Sequence, residues 1–213
     1  MRGGARGFII LSPMEAILEE LTTENIAPEP RLPSSGMWVR FFLDVVETIL
    51  LAAILFLVIN GISARVRVEG TSMVPSLQNG EFVLVNRLAY RFGQPQRGDI
   101  IVFHHPTDQN QEDLIKRVIG LPGDTVRVDS GSVYVNGVAL KEEYIAAAPA
   151  YTDQQVVPEG QLYVLGDNRN SSSDSHAWGF VPYKDVIGAA VLIYWPLKEM
   201  ALIHHVDLVK ASQ

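Results

Sequence analysis

The chain contains no cysteine among its 213 residues. That single absence excludes a disulfide framework, a thiolate zinc site and a cysteine nucleophile. Positive charge is also scarce: 17 Lys and Arg stand against 24 Asp and Glu, for a formal net charge of −7. Nucleic-acid-binding chains present a basic stripe, so nucleic acid is not an expected partner. Charged residues make up only 19% of the chain and hydrophobic ones 47%, the reverse of a disordered acidic sequence. The sequence carries no Gly-x-Gly-x-x-Gly, phosphate-loop, His-Glu-x-x-His or Gly-x-Ser-x-Gly pattern. The best-marked dinucleotide, nucleotide, zinc-protease and α/β-hydrolase signatures therefore do not apply. His104-His105 and His204-His205 are adjacent pairs. Neighbours on a strand face opposite ways, so neither pair can chelate one ion; these are read as surface histidines, with no metal or cofactor expected.

The hydrophobic residues are unevenly placed. Thr48 to Ala64 is a run of 17 residues without a charge, and Phe41, Phe42, Leu43, Val45 and Val46 extend it towards the N-terminus. As a helix, Phe41 to Ile62 would cover ~33 Å, enough to cross a hydrocarbon core of ~30 Å. Asp44 and Glu47 fall in its first two turns, where they can still reach headgroups. A buried core helix is the alternative, but the apolar surface runs all round. A cleavable signal peptide would need a 40-residue n-region with five glutamates, which is the wrong anatomy. Arg2, Arg6, Arg31 and Arg40 before the span outnumber Arg65 and Arg67 after it, leaning towards a cytoplasmic N-terminus. Ahead of the span, Pro13 to Thr23 has one amphipathic helical pattern among Gly, Pro and Ser clusters.

Beyond the span the period changes to two. Arg65 to Glu69 and Asp124 to Asp129 alternate strictly; Phe82 to Val85, Ile100 to Phe103, Leu162 to Leu165 and Val186 to Trp195 read as more buried strands. Ser132 to Leu140 is a strand, an Asn136-Gly137 turn and a returning strand, a hairpin signal. The expected fold is mostly β: an antiparallel, barrel-like domain anchored by one N-terminal transmembrane helix. Leu197 to Val209 is expected as a short surface helix or a loose end.

Three segments offer chemistry. Ser72 sits in Glu69-Gly-Thr-Ser-Met-Val-Pro-Ser-Leu77, within ~29 Å of the span's end even if the chain is fully extended. Taken alone, such a serine is a turn residue or an exposed nucleophile. Lys116 sits in the apolar row Leu114 to Ile119. It is either an edge-strand gatekeeper or a buried amine whose pKa desolvation lowers, and such an amine can act as a general base. Leu165 to Gly179 is dense in Asp, Asn, Ser and Gly directly after a strand, which fits a long turn and also supplies groups to orient a site.

Together these segments resemble one family. Gly70-x-Ser72-Met73-x-Pro75-x-Leu77, Arg97-Gly98-Asp99-Ile100, Lys116-Arg117-x-Ile119-Gly120-x-Pro122-Gly123-Asp124 and Gly166-Asp167-Asn168-Arg169-x-x-Ser172-x-Asp174-Ser175 follow the order seen in type I signal peptidases. The likeness covers roughly residues 38 to 195, and four ordered boxes are far more specific than one. It implies a serine endopeptidase with Ser72 as nucleophile and Lys116 as general base. Ser172 would position the lysine amine, and Asp174 would be a structural carboxylate near Arg117. The Ser72 backbone N–H would be the first oxyanion donor. Some family members add a serine hydroxyl two positions earlier, where this chain has Gly70, so a backbone N–H or water would stand there. His176 occupies a position where many relatives carry arginine, and in this it resembles the cyanobacterial and thylakoid branch.

The likeness further implies substrates that are signal-peptide-bearing precursors with small residues of Ala-x-Ala type before the cut. Val66, Val68, Met73, Leu77, Val83 and Ile115 are the candidate lining of shallow apolar pockets. The lipid bilayer of a plasma (inner) or thylakoid membrane would be the other partner, crossed once. Residues 1–37 would form a cytoplasmic tail, 38–62 the signal anchor, 63–197 the β-rich peptidase domain on the extracytoplasmic side and 198–213 a C-terminal tail. The rival readings are a self-cleaving SOS-type repressor, a pilin-processing relative, and an inactive paralogue serving as a membrane-anchored scaffold. A repressor would carry a DNA-binding module where this chain carries its span.

Overall fold

The computed structural model describes residues 35–107 and 112–208. The amphipathic segment Pro13 to Thr23 lies outside them. Contacts divide the chain into two units, Met1–Leu51 and Ala52–Gln213. Helix α1, Ser35–Ile62, starts in the first and ends in the second. It is long and apolar enough to cross a membrane, and leucine, isoleucine, valine and phenylalanine side chains are exposed along its length. A helix apolar all round and left exposed among the described residues has the surface of a membrane span. Thr48 Oγ1 of the helix donates to the Asp44 carbonyl, and Ser63 Oγ, just past its end, donates back to the Ile59 carbonyl, each at 2.8 Å. Such back-bonding removes the cost of an unpaired donor in hydrocarbon.

The second unit is antiparallel β. One sheet orders its strands β1 (Ser63–Arg67), β2 (Phe82–Asn86), β11 (Val186–Trp195), β3 (Ile100–His104), β4 (Asp113–Gly120), β9 (Gln161–Leu165) and β10 (Val181–Pro182), and β12 (Ala201–Leu202) pairs with β11. The smaller sheet runs β7 (Val138–Ala139), β6 (Ser132–Val135), β5 (Thr125–Asp129), β8 (Asp153–Val156). The strand path is open rather than closed, so the body is barrel-like only in a loose sense. Alternation does what it should: Val83 and Val85 of β2, Val126 and Val128 of β5, and Val133 and Val135 of β6 are buried. Asn136 and Gly137 both take positive φ, 52° and 84°, the geometry a two-residue hairpin with the strand twist demands. β11 has three neighbours, β3 along Val186–Ala189, β12 at Leu192 and Ile193, and β2 along Ala189–Trp195, with register shifts after Val186, Ala190 and Ile193.

Two features place the site. The first is β4, whose residues Ile115 to Gly120 are all buried. Its first half pairs with β3 alone, Ile101 standing opposite Lys116, and β9 joins only from Arg117 onward. The second is β1, which has a partner only on its β2 side. Each therefore keeps one free edge.

The C-terminal segment is neither a surface helix nor a loose end. After a single 3₁₀ turn, Leu197–Glu199, it adds β12 to the large sheet. His205 Nδ1 lies 2.9 Å from Asp99 Oδ1, and Leu208, 1% exposed, packs with Ile119, Tyr163 and Leu165. Val206 passes so close over Gly98 that a Cβ there would stand 2.0 Å from its carbonyl oxygen. Short helical spacing in the sequence concealed a strap whose burial comes from residues a hundred positions away. The adjacent histidines do point to different partners: His104 Nδ1 meets Asp113 at 2.9 Å, while the His105 ring packs on Trp178.

Candidate active site

Ser72 lies on the loop that returns β1 to β2. The loop's base is a short ladder, Val68 N–H to the Glu81 carbonyl and Gly80 N–H to the Val68 carbonyl. Gly70, at φ 82°, turns the chain, and its N–H donates to Asn79 Oδ1 at 3.0 Å. Met73 and Leu77 are buried and hold the loop down. From the other end of the sequence Asn168 grips the same loop twice. Its backbone N–H donates to the Ser72 carbonyl at 2.9 Å and its Nδ2 to the Thr71 carbonyl at 3.1 Å.

Lys116 reaches the serine from β4, with Nζ 2.8 Å from Ser72 Oγ. The lysine is 3% exposed and forms no ion pair among the described residues. Desolvation pushes its amine below the usual lysine value, against the opposing pull of Asp174, Asp167 and Glu112. A buried amine without a carboxylate in contact tends to the neutral form, which has a lone pair to offer.

Arg117, the next residue on β4, is 2% exposed and fully engaged. It grips Asp167 with a fork, Nε to Oδ1 at 2.8 Å and Nη2 to Oδ2 at 2.7 Å. Nη1 donates to the Gly98 carbonyl at 2.8 Å, and the Tyr144 ring lies 4.1 Å beneath the guanidinium. Asp174 was expected as a structural carboxylate near Arg117; the residue that pairs with the arginine is Asp167. Asp174, fully buried, caps the short helix α2, Ser175–Trp178. One of its oxygens accepts the Gly166 N–H at 2.9 Å, and the other meets His176 Nδ1 at 2.6 Å. The reason is reach: Asp167 follows β9 directly, where β9 pairs with Arg117, while Asp174 turns back towards its own loop.

Ser172 is in the neighbourhood but not bonded to the lysine. Its hydroxyl is buried and has no hydrogen-bond partner among the described residues. It crowds Gly166, where a Cβ would lie 2.3 Å from Ser172 Oγ and 2.5 Å from the Ser72 carbonyl oxygen. A side chain at 166 is thereby excluded by the serine loop itself.

Beside Ser72 opens a cleft of about 370 Å³ between the free edges of β1 and β4. Val66, Val68, Met73, Leu114 and Ile115 supply its apolar wall, and Arg65, Arg67, Glu69, Glu112 and Asp113 its rim. Of the expected lining, Val66, Val68, Met73 and Ile115 are on this wall. Leu77 and Val83 do not line it: they lie deeper in the core cluster that Val68, Met73 and Ile115 share, and Val83 is enclosed because β2 is paired on both sides. Sequence reasoning missed the charged rim, the double grip of Asn168 and the pairing of Asp167. The Asp167-Asn168 dipeptide was visible as part of a box, but only the fold gives its two residues different duties. Among the described residues no group of three His, Cys, Asp or Glu side chains is placed to hold a metal.

An exposed apolar helix of spanning length, an antiparallel β-domain and a serine hydroxyl against a buried amine beside an open cleft define the class: a membrane-type serine endopeptidase. The family model described as signal peptidase, peptidase S26, matches residues 42–195. A protein named probable signal peptidase I-2 from Synechocystis sp. is 44% identical over 188 residues, 85% of this chain and 86% of that one. Signal peptidase I of Leptolyngbya laminosa is 40% identical over 195 residues, covering 84% and 96% of the two chains. A probable thylakoidal processing peptidase 2 of Arabidopsis thaliana chloroplasts is 37% identical over 146 residues, 65% of this chain and 40% of the relative. The chain belongs to the signal peptidase family, peptidase S26, and is a type I signal peptidase.

Proposed function

We propose that this protein removes signal peptides from secretory precursors by acyl transfer through Ser72 and Lys116. The observation that carries the reading is the 2.8 Å approach of a buried, uncharge-paired Lys116 Nζ to Ser72 Oγ. Neutral Lys116 takes the Ser72 proton as the oxygen attacks the scissile carbonyl. The Ser72 backbone N–H faces the developing oxyanion, with the Gly70 position leaving room for a second donor. The ammonium then protonates the leaving amine, and the freed lysine activates the water that hydrolyses the acyl-enzyme. Ser172, whose buried hydroxyl has no partner among the described residues, is the group left to orient the lysine amine. Asp167 and Arg117 fix the strand that carries the base, and Asp174 fixes the turn at Gly166.

The two free edges support the substrate class. An extended peptide laid in the cleft adds a strand to β1 or β4, and its alternate side chains face Val66, Val68, Met73 and Ile115. That wall is shallow, which suits residues of alanine size at the first and third positions before the cut. The short tether from α1 to Ser72 supports cleavage close to the membrane surface. We place residues 1–37 in the cytoplasm, the span at 38–62, and the peptidase domain from 63 on the far side of a plasma or thylakoid membrane. The test is cleavage of an Ala-x-Ala precursor by detergent-solubilised protein. Processing between the small residue and the mature N-terminus is expected from the wild type and from neither Ser72→Ala nor Lys116→Ala; an active Lys116→Ala variant overturns the dyad.

A further inference from the structure

His176 is the one feature of the site that the acyl-transfer reading leaves unused. Its Nδ1 lies 2.6 Å from Asp174 Oδ1, and its ring stacks on Tyr151 at 4.1 Å between centroids, 18° from parallel. Asp174 is completely buried, and its other oxygen accepts the Gly166 N–H. Gly166 in turn stands against the Ser72 carbonyl and the Ser172 hydroxyl. A chain of direct contacts thus runs from an accessible imidazole to the backbone that holds the serine. The same Asp174 is the charge that most strongly favours the ammonium form of Lys116.

We propose that His176 is a titratable positioning residue for the Ser72–Lys116 pair, its imidazolium offsetting the Asp174 carboxylate while its ring holds that carboxylate on Gly166. The inference rests on the dyad reading. When His176 is protonated, Asp174 is charge-paired and the field it casts on Lys116 is weak, so the amine surrenders its proton more readily. When His176 is neutral, it still donates Nδ1–H to Asp174, but the carboxylate's charge is unopposed and Lys116 holds its proton more tightly. The Asp174 hydrogen bond, and more weakly Asp153 of β8, favour the imidazolium and raise the histidine above its usual value, against partial burial. Tyr151 faces it as a neutral ring, its hydroxyl pushed well above the usual tyrosine value. Arg169 and Glu142 behind that ring are paired with each other. Asp167, the remaining buried carboxylate near Lys116, is already held by Arg117.

The two protons, on His176 and on Lys116, therefore disfavour one another. A wild-type titration of activity is then spread over a wider pH range than one ionisation allows. The experiment compares kcat/KM against pH for the full-length wild type, His176→Arg and His176→Gln in detergent. Arginine, a permanent cation at the same carboxylate, is expected to give a single steep rise shifted to lower pH. Glutamine, never charged, is expected to give a single steep rise shifted to higher pH. At a pH on the rising limb the two should differ in rate by about threefold to tenfold. A common midpoint for all three proteins, or shifts of Arg and Gln in the same direction, overturns the proposal. Should the glutamine variant fail to fold, the arginine variant alone decides by the presence or absence of its acid shift. A second reading is free of activity: histidine NMR of the wild type and Lys116→Met. Loss of the lysine charge must raise the His176 pKa, since coupling is reciprocal; an unmoved His176 rejects the coupling. If instead Lys116→Met still cleaves precursor, the dyad reading fails while the NMR coupling is judged on its own.

Discussion

Lys116 Nζ stands 2.8 Å from Ser72 Oγ across 44 residues of sequence, as the end of a buried side chain on the stretch of β4 that pairs with β3 alone. Everything else at the site bears on one of these two atoms. Asn168 holds the serine loop, Arg117 and Asp167 hold the lysine strand, and Gly166 with Asp174 closes the gap between them.

Removing either atom should abolish turnover. Ser72→Ala and Lys116→Met are each expected to lower kcat by on the order of 1,000-fold or more, with neither change adding much to the other. Lys116→Arg is expected to be as inactive as Lys116→Met, because a guanidinium stays protonated at any working pH. Single-turnover cleavage of a precursor, with circular dichroism to show retained β structure, checks all three.

Activity should rise with pH as Lys116 loses its proton, with a midpoint below the usual lysine value because burial lowers it. Stability follows the same sign. The folded amine binds its proton more weakly than the unfolded one, so the full penalty is present at low pH. It is relieved as pH rises from the lowered folded value towards about 10.4. Lys116→Met should therefore stabilise the fold at neutral pH by about 1–3 kcal/mol and flatten that slope. Denaturant unfolding at several pH values measures both.

Gly166→Ala is expected to cost activity by about 100-fold while leaving most of the fold intact. Its Cβ would press on the Ser72 carbonyl and the Ser172 hydroxyl, and a displacement of about an ångström is enough to spoil attack geometry. The effect should fall on kcat more than on KM. Shortening the crowding side chain, as Ser172→Gly in the same protein, should not restore the rate, because the Ser72 carbonyl contact remains.

Asp167→Asn leaves the Arg117 guanidinium buried without a counter-charge and should destabilise the protein by about 3–5 kcal/mol. Replacing both members, Arg117→Met with Asp167→Leu, is expected to recover part of that loss in Tm. A double-mutant cycle separates the two acids: Arg117→Met should abolish most of the cost of Asp167→Asn and leave that of Asp174→Asn unchanged, and the reverse pattern would falsify the assignment of Asp167 as its partner.

Local pattern carried much of this in advance. The 17 uncharged residues from Thr48, the alternation in β2, β5 and β6, and the Asn136-Gly137 turn are short-range signals that follow from backbone geometry, and the structure has each. The order of the four boxes brought Ser72 and Lys116 forward although each alone was ambiguous. What was not legible was which acid takes the arginine, which apolar residues are sealed behind the cleft, and where the C-terminal segment packs. Asp174 and Asp167 are both acids in one loop, and a sequence offers no means to say that the nearer one to β9 takes the arginine. Leu77 and Val83 alternate like wall residues but are sealed by neighbouring strands. The C-terminal segment lacks a period because its burial is supplied by Gly98, Asp99 and the core around Tyr163.

The amino-acid order by itself determined the membrane-span composition, the β class, the hairpin and the residue types available for acyl transfer, since these rest on hydrophobicity and φ/ψ preference within a few residues. Tertiary structure alone decided that Lys116 is buried rather than an edge gatekeeper, that Asp167 is the acid that holds Arg117, and that β1 and β4 leave facing edges open. Those are outcomes of long-range packing: only when β3, β4 and β9 assemble does water leave the lysine, and only then does its amine lose its grip on a proton.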